Sequence, residues 1–101
     1  LCETFGVAMA PHNTLGPVAT MVNVHLALTT PNFLIQEVMR ADVPWRQEVF
    51  TGVPEFEGGY ILPPQGLGIG IEINENEADK HPFVPVMPVQ WFHNDVSVAD
   101  W

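Results

Sequence analysis

Val7-Ala8-Met9-Ala10, halted by Pro11-His12-Asn13, and Phe33-Leu34-Ile35-Gln36-Glu37, introduced by Thr30-Pro31-Asn32, are the stretches that decide the fold. Each is a short apolar run closing on a polar residue. The first shows no apolar–polar alternation, as in a parallel strand covered on both faces. Between them, Gly16-Pro17 supplies a helix start. Glycine can act as N-cap, and proline at the first helical position gives up an N–H that has no partner there. The spacing predicts a helix over about Pro17 to Leu28, with Val18, Met21, Val22, His25 and Leu26 on one stripe. Thr29-Thr30-Pro31 ends it, because the residue before proline avoids the helical region.

Strand, helix and strand joined by short loops suit a right-handed βαβ crossover. His12 and Glu37 then fall at the C-terminal ends of two neighbouring strands, the edge where α/β enzymes place their chemistry. Histidine in such a place is suited to general-base work; the plainer reading is a hydrogen bond to a loop carbonyl. A carboxylate after an apolar strand is costly to bury without a partner or a task. For Glu37 the plainer reading is a salt bridge to Arg40 or Arg46.

Beyond Glu37 the order loosens. Val38 to Glu57 reads as loop with room for a short helix, and Gly58 to Pro64 as turn, short strand and proline stop. Gly66-Leu67-Gly68-Ile69-Gly70-Ile71-Glu72-Ile73 reads as a strand pressed close to other backbone. It lacks the third glycine spacing and following helix of a dinucleotide fingerprint. Asn74 to Lys80 suits one acidic helical turn, and Phe83 to Trp101 is a proline-punctuated tail with Trp91, Phe92 and Trp101. Met21, Met39 and Met87 are core candidates, His25 a core or interface histidine, and His81 and His93 surface or loop residues. No histidine pair or C-x-x-C has metal-ligand spacing. The carboxylates at Glu72, Glu75, Glu77 and Asp79 read as a solvated face without calcium-loop order.

Composition narrows the partners. Three Lys and Arg against 12 Asp and Glu give a net charge of -9, the wrong sign for a nucleic-acid backbone or for polybasic membrane docking. No apolar run approaches the roughly 20 residues of a membrane span. At 47% hydrophobic the chain has the means for a packed core rather than a disordered tail. Cys2 is the only cysteine, so no internal disulfide forms, its thiol has no basic neighbour to activate it, and a cytoplasmic setting is expected. A 101-residue chain beginning at Leu1 and rich in proline and glycine would have a marginal core alone, so a piece of something larger is expected.

Ala10 to Pro17, followed by Thr30 to Glu37, resembles the enolase superfamily, and more narrowly the acid-sugar dehydratases of the mandelate racemase type. Gly58-Gly59-Tyr60 with Gly66 to Ile73 resembles the family's return segment, usually written PGLGVEID. His93 to Trp101 is similar to the HEDGSVAEW ending of galactonate dehydratases, whereas Pro31 to Met39 and Ala78 to Phe83 also resemble mannonate dehydratases. Gln65 stands where the family usually has proline, and Val96 where it has glycine.

The resemblance implies an α/β chain forming the C-terminal part of a (β/α)8 barrel. Residues 1–57 would carry strand 7, helix 7, strand 8 and the following loop, and 58–101 the return segment and tail leading back to a capping domain. His12 matches the family's general base and Glu37 the acid of the eighth strand, 25 residues on, as in galactonate dehydratases. The implied activity is Mg²⁺-dependent dehydration of a galactonate-like aldonate: loss of the C2 proton and the C3 hydroxyl gives a 2-keto-3-deoxy sugar acid. The Mg²⁺ ligands, the leaving-group acid and the carboxylate orienting His12 are expected upstream of Leu1. The full-length protein is expected to be a homo-oligomer, and residues 1–101 alone to be inactive and poorly folded. The alternatives are a mannonate dehydratase or racemase of the same superfamily, or a non-catalytic acidic module binding a protein partner.

Overall fold

The computed structural model describes residues 1–40, 43–85 and 92–99. Its longest element, α1, spans Pro17–Leu28, with Gly16 as N-cap and Pro17 at the first turn. Both ends are set by local chemistry, as the sequence predicts. At the far end the Thr29 N–H and the hydroxyls of Thr29 and Thr30 all donate to the Leu26 carbonyl, at 3.1, 3.0 and 2.6 Å, and close the last turn.

The segments flanking α1 lie parallel and meet at one bridge, Met9 with Phe33. Met9 N–H donates to the Asn32 carbonyl and Leu34 N–H to the Met9 carbonyl, each at 2.8 Å, while Asn32 Nδ2 reaches the Val7 carbonyl at 2.6 Å. This strand–helix–strand unit has the expected direction and order. Its strands are not covered on both faces as the apolar runs suggest: Val7, Leu34 and Ile35 are 53%, 67% and 63% exposed. Covering both faces of a parallel pair takes neighbouring strands and helices, and α1 is the only helix of more than one turn among the described residues.

The second half is built from short pieces. The single-turn helix α2, Arg46–Val49, leads into β1, Phe50–Thr51, which pairs antiparallel with β4, Glu72–Ile73. Between them β2, Phe56–Glu57, and β3, Tyr60–Ile61, form a hairpin turned by Gly58 and Gly59 at φ 57° and 87°. That geometry matches the right-handed twist of a two-residue hairpin and favours glycine at both places. Asn74 caps α3, Glu75–Ala78, by accepting the Glu77 N–H at 3.3 Å, which bears out the acidic turn expected there.

Residues 66–71 differ from expectation. They form a turning strap rather than a strand, and only Glu72–Ile73 pairs. The expected backbone proximity is present. A Cβ on Gly52 would stand 2.2 Å from the Gly70 carbonyl oxygen, and one on Gly70 would stand 2.6 Å from Pro64 Cβ and 3.6 Å from Met21 Cε. The strap therefore packs against α1 through Met21.

The packed face of α1 is Pro17, Thr20, Met21 and Val24, a correction to the expected stripe. Of that stripe Met21 is 2% exposed, but Val22 and Leu26 are 42% and 53% exposed. The helix is apolar nearly all round, so periodicity alone does not choose the packed side. Met39, expected in the core, is 39% exposed. Met87, Trp91 and Trp101 lie outside the described residues. The radius of gyration is 17.5 Å, against about 13 Å for a compact domain of this length. Among the described residues no helix is long and apolar enough to cross a membrane.

Candidate active site

The parallel bridge fixes what meets at the strand ends. Met9 opposite Phe33 sets a register that carries forward to Asn13 opposite Glu37. Gln36 secures it: its Nε2 donates to the Pro11 carbonyl at 3.2 Å and to the Glu37 carbonyl at 2.8 Å. Two side chains on separate strands are thereby brought to one point. His12 Nδ1 lies 2.6 Å from Glu37 Oε2. The same oxygen accepts the Asn13 N–H at 2.7 Å.

The two oxygens of Glu37 are thus unequal. Oε2 takes both contacts, and Oε1 has no partner among the described residues. His12 is unequal too: Nδ1 faces the carboxylate, so a proton held there leaves Nε2 as the basic atom. The side chains are 80% and 49% exposed, so both free atoms face open space. Neither plainer reading of these residues holds. His12 meets a carboxylate rather than a loop carbonyl, Glu37 meets His12, and the Arg40 guanidinium stands 4.3 Å over the Phe56 ring. Among the described residues, Glu37 Oε2 is the carboxylate oxygen that His12 Nδ1 meets.

Asn13 and Thr20 complete the surroundings, and a reading by residue type passes over both. Asn13 is 2% and Thr20 1% exposed, and Asn13 Nδ2 donates to Thr20 Oγ1 at 2.9 Å. A sequence signal existed: Asn13 stands two residues before Leu15, whose N–H it accepts at 3.2 Å in an Asx turn leading into the helix.

The remaining candidates scatter. His25 sits on α1 with a buried Nε2 that has no partner among the described residues. His81, expected as a surface or loop residue, lies in a bend, half-buried and stacked on Trp45 with ring centres 4.1 Å apart. His93 is exposed in a turn with Asp95 and Ser97. The hydroxyl and then the N–H of Ser97 hold the Asp95 carboxyl below the ordinary carboxylate range. Two apolar recesses open elsewhere, of about 410 Å³ beside Met21 and Gly52 and about 690 Å³ beside Val24 and Phe33. Neither is lined by His12 or Glu37.

Residues 1–78 match the family model described as enolase C-terminal domain-like, and that span holds the strand–helix–strand unit and the whole His12–Glu37 constellation. The chain belongs to the enolase C-terminal domain-like family. Its fold is that of the C-terminal part of an enolase-superfamily barrel. A D-galactonate dehydratase family member of Streptomyces bingchenggensis is 34% identical over 103 residues, covering 100% of this chain and 25% of that protein. The crystal structure of an enolase from Pantoea ananatis with bound D-gluconate and Mg superposes with a TM-score of 0.73 at 40% identity, over 80% of this chain and 20% of that one. A putative L-alanine-DL-glutamate epimerase from Burkholderia xenovorans gives a TM-score of 0.76 at 32% identity, over 80% of this chain and 21% of that one. The chain thus spans about a quarter or less of the length of these relatives.

A divalent cation does not fit the residues described. Among them no three His, Cys, Asp or Glu side chains converge, and His12 and Glu37 spend Nδ1 and Oε2 on each other. What the described residues bring together is an imidazole whose Nδ1 faces a carboxylate and a carboxylate whose second oxygen is unengaged among them.

Proposed function

We propose that this chain supplies the base and its paired carboxylate to a sugar-acid dehydratase acting on a galactonate-like aldonate. The observation that carries the reading is the 2.6 Å contact between His12 Nδ1 and Glu37 Oε2 at one strand edge. Relatives whose names include D-galactonate dehydratase support the substrate class, as does the solved relative holding D-gluconate and Mg. Mg²⁺ belongs to the proposal for the whole protein, with its ligands outside the described residues.

The chemistry needs such a pair. The proton alpha to a carboxylate is very weakly acidic, because its loss adds negative charge beside an anion. In the proposed reaction His12 Nε2 takes the C2 proton and the C–H electron pair enters the enediolate. Glu37 faces the positive charge that forms on the imidazole, and holds the ring while Oε1 remains available to a substrate hydroxyl. The C3 hydroxyl leaves as water with a proton from an acid outside these residues. The resulting enol tautomerises to a 2-keto-3-deoxy acid, so aldonate becomes product plus one water.

The test uses the intact protein, a panel of aldonates and Mg²⁺, with two readouts: keto-acid formation and exchange of the C2 hydrogen with D₂O. His12→Gln removes the base and is expected to abolish both readouts, a loss of about 10²–10⁴-fold for a general base, with the melting temperature held. Glu37→Gln keeps the shape, removes the charge and is expected to lower both. Unchanged turnover in His12→Gln sinks the assignment. Exchange without water loss would instead support an epimerase, the reading favoured by the superposition on the Burkholderia xenovorans protein.

A further inference from the structure

Gln36 stands where the pairing of the two strands passes from backbone to side chains. A parallel ladder alternates its bonds: Met9 N–H donates to the Asn32 carbonyl, and Leu34 N–H to the Met9 carbonyl. The next two rungs would run from residue 11 to the Leu34 carbonyl, and from the Gln36 N–H to the carbonyl of residue 11. Residue 11 is proline and has no N–H to give, so the first of these is not made. The second is made by a different atom: Gln36 Nε2, in place of the main chain, donates to the Pro11 carbonyl at 3.2 Å. One rung further on, the Asn13 N–H also meets a side chain, Glu37 Oε2. His12 is therefore carried by a stretch of backbone that the neighbouring strand holds through side chains.

The chemistry of Gln36 fits that task. Both partners of Nε2, the Pro11 and Glu37 carbonyls, only accept, and a primary amide nitrogen carries two protons. Turning the amide over would set Oε1 against two carbonyl oxygens, so the orientation follows from the partners. Oε1 is left buried, without a partner among the described residues. One side chain thus ties the residue before His12 to the main chain of Glu37.

We infer that Gln36 is a positioning residue: its amide continues the strand pairing past Pro11 and fixes the separation of the His12 and Glu37 backbones. The inference rests on the reading of His12 and Glu37 as groups that act on a common substrate. It is independent of which carboxylate turns the imidazole ring. Gln36 touches no substrate in this scheme and acts through the spacing of the two strand ends.

Two variants of the intact protein separate this role from the filling of space. Gln36→Met keeps most of the length and removes the donor. Gln36→Glu keeps the shape and sets a carboxylate against the two carbonyls. With the aldonate panel and Mg²⁺, kcat should fall about 10–10²-fold in Gln36→Met with KM within about twofold, the scale of loss that a misplacement of about 1 Å can cause. In Gln36→Glu it should fall further. A side chain that only filled space would give the opposite order, because glutamate has the shape of glutamine. Crystal structures of the wild type and Gln36→Met give a readout that needs no turnover: the main chain of residues 11–13 should move away from Glu37 by about 1 Å. Gln36→Glu serves for both measurements should Gln36→Met not fold.

Unmoved His12 and Glu37 backbones in a folded variant overturn the inference. So does a milder effect in Gln36→Glu than in Gln36→Met, or a rise in KM at unchanged kcat. Failure of the dehydratase reading looks different. The wild type would then turn over no sugar acid, while the pair of crystal structures would still decide whether Gln36 sets the spacing.

Discussion

Gly52→Ala isolates the contact that holds the 66–71 strap against the turn after β1. Gly52 sits at φ 78°, and a Cβ there would be 2.2 Å from the Gly70 carbonyl oxygen and 3.4 Å from Ile71 Cα. Two costs follow. A non-glycine residue in the left-handed region loses about 1–2 kcal/mol. The 2.2 Å approach lies well inside the roughly 3.5 Å of ordinary contact, and the atom met is backbone, which cannot swing aside. The 66–71 strap must retreat by about 1 Å, an overpacking that costs about 1–3 kcal/mol. The control is Gly58→Ala, at φ 57° with nothing within 4 Å of the added Cβ, which carries the first cost alone. Urea unfolding of both variants in the intact protein, at unchanged slope, should place the Gly52→Ala midpoint lower by the equivalent of about 1–3 kcal/mol. Equal midpoints would refute the close approach of Gly52 to the strap.

The tail turn gives two more predictions. Val96 stands at φ 69°, where a β-branched residue is strained. Val96→Gly should relieve about 1–2 kcal/mol of that strain and lose part of it to the freer unfolded chain. The expected outcome is a stabilisation of about 1 kcal/mol in denaturant midpoint, and a destabilised variant would contradict the left-handed geometry. Asp95 carries a lowered pKa from the Ser97 hydroxyl and N–H. A depressed carboxyl contributes stability above its unfolded pKa and loses it as pH falls through the folded one. Ser97→Ala should therefore raise the Asp95 titration midpoint, followed by carboxyl ¹³C shifts, and an unmoved midpoint would reject the hydroxyl as the main cause.

What was legible in the sequence was what neighbouring residues decide. Gly16-Pro17 and Thr29-Thr30-Pro31 bound α1 because N-terminal proline and pre-proline backbone act within a residue or two. Gly58-Gly59 and Asn74 were readable for the same reason. The His12–Glu37 pairing was readable because a βαβ unit brings two strand ends together whatever the helix packs on. The packed face of α1 was not. With apolar residues nearly all round, the side that faces inward is chosen by Asn13 binding Thr20 across the start of the helix and by the strap reaching Met21 from a distant segment. The Gly66–Gly70 run misled because alternating glycine and isoleucine looks like a strand. Its glycines instead serve positive φ and close approach.

The exposure of the pair bears on what this part of the fold can contribute. In water-like surroundings two unit charges about 4 Å apart gain only about 1 kcal/mol, and His12 is 80% exposed at its side chain. The 2.6 Å contact is then more informative as direction than as energy. It fixes which nitrogen is free, and the Asn13 N–H fixes which carboxylate oxygen does the fixing. Direction survives when a site is covered, whereas electrostatic strength rises as water is excluded. Within the described residues that direction is set at one atom, Glu37 Oε2, which meets both His12 Nδ1 and the Asn13 N–H.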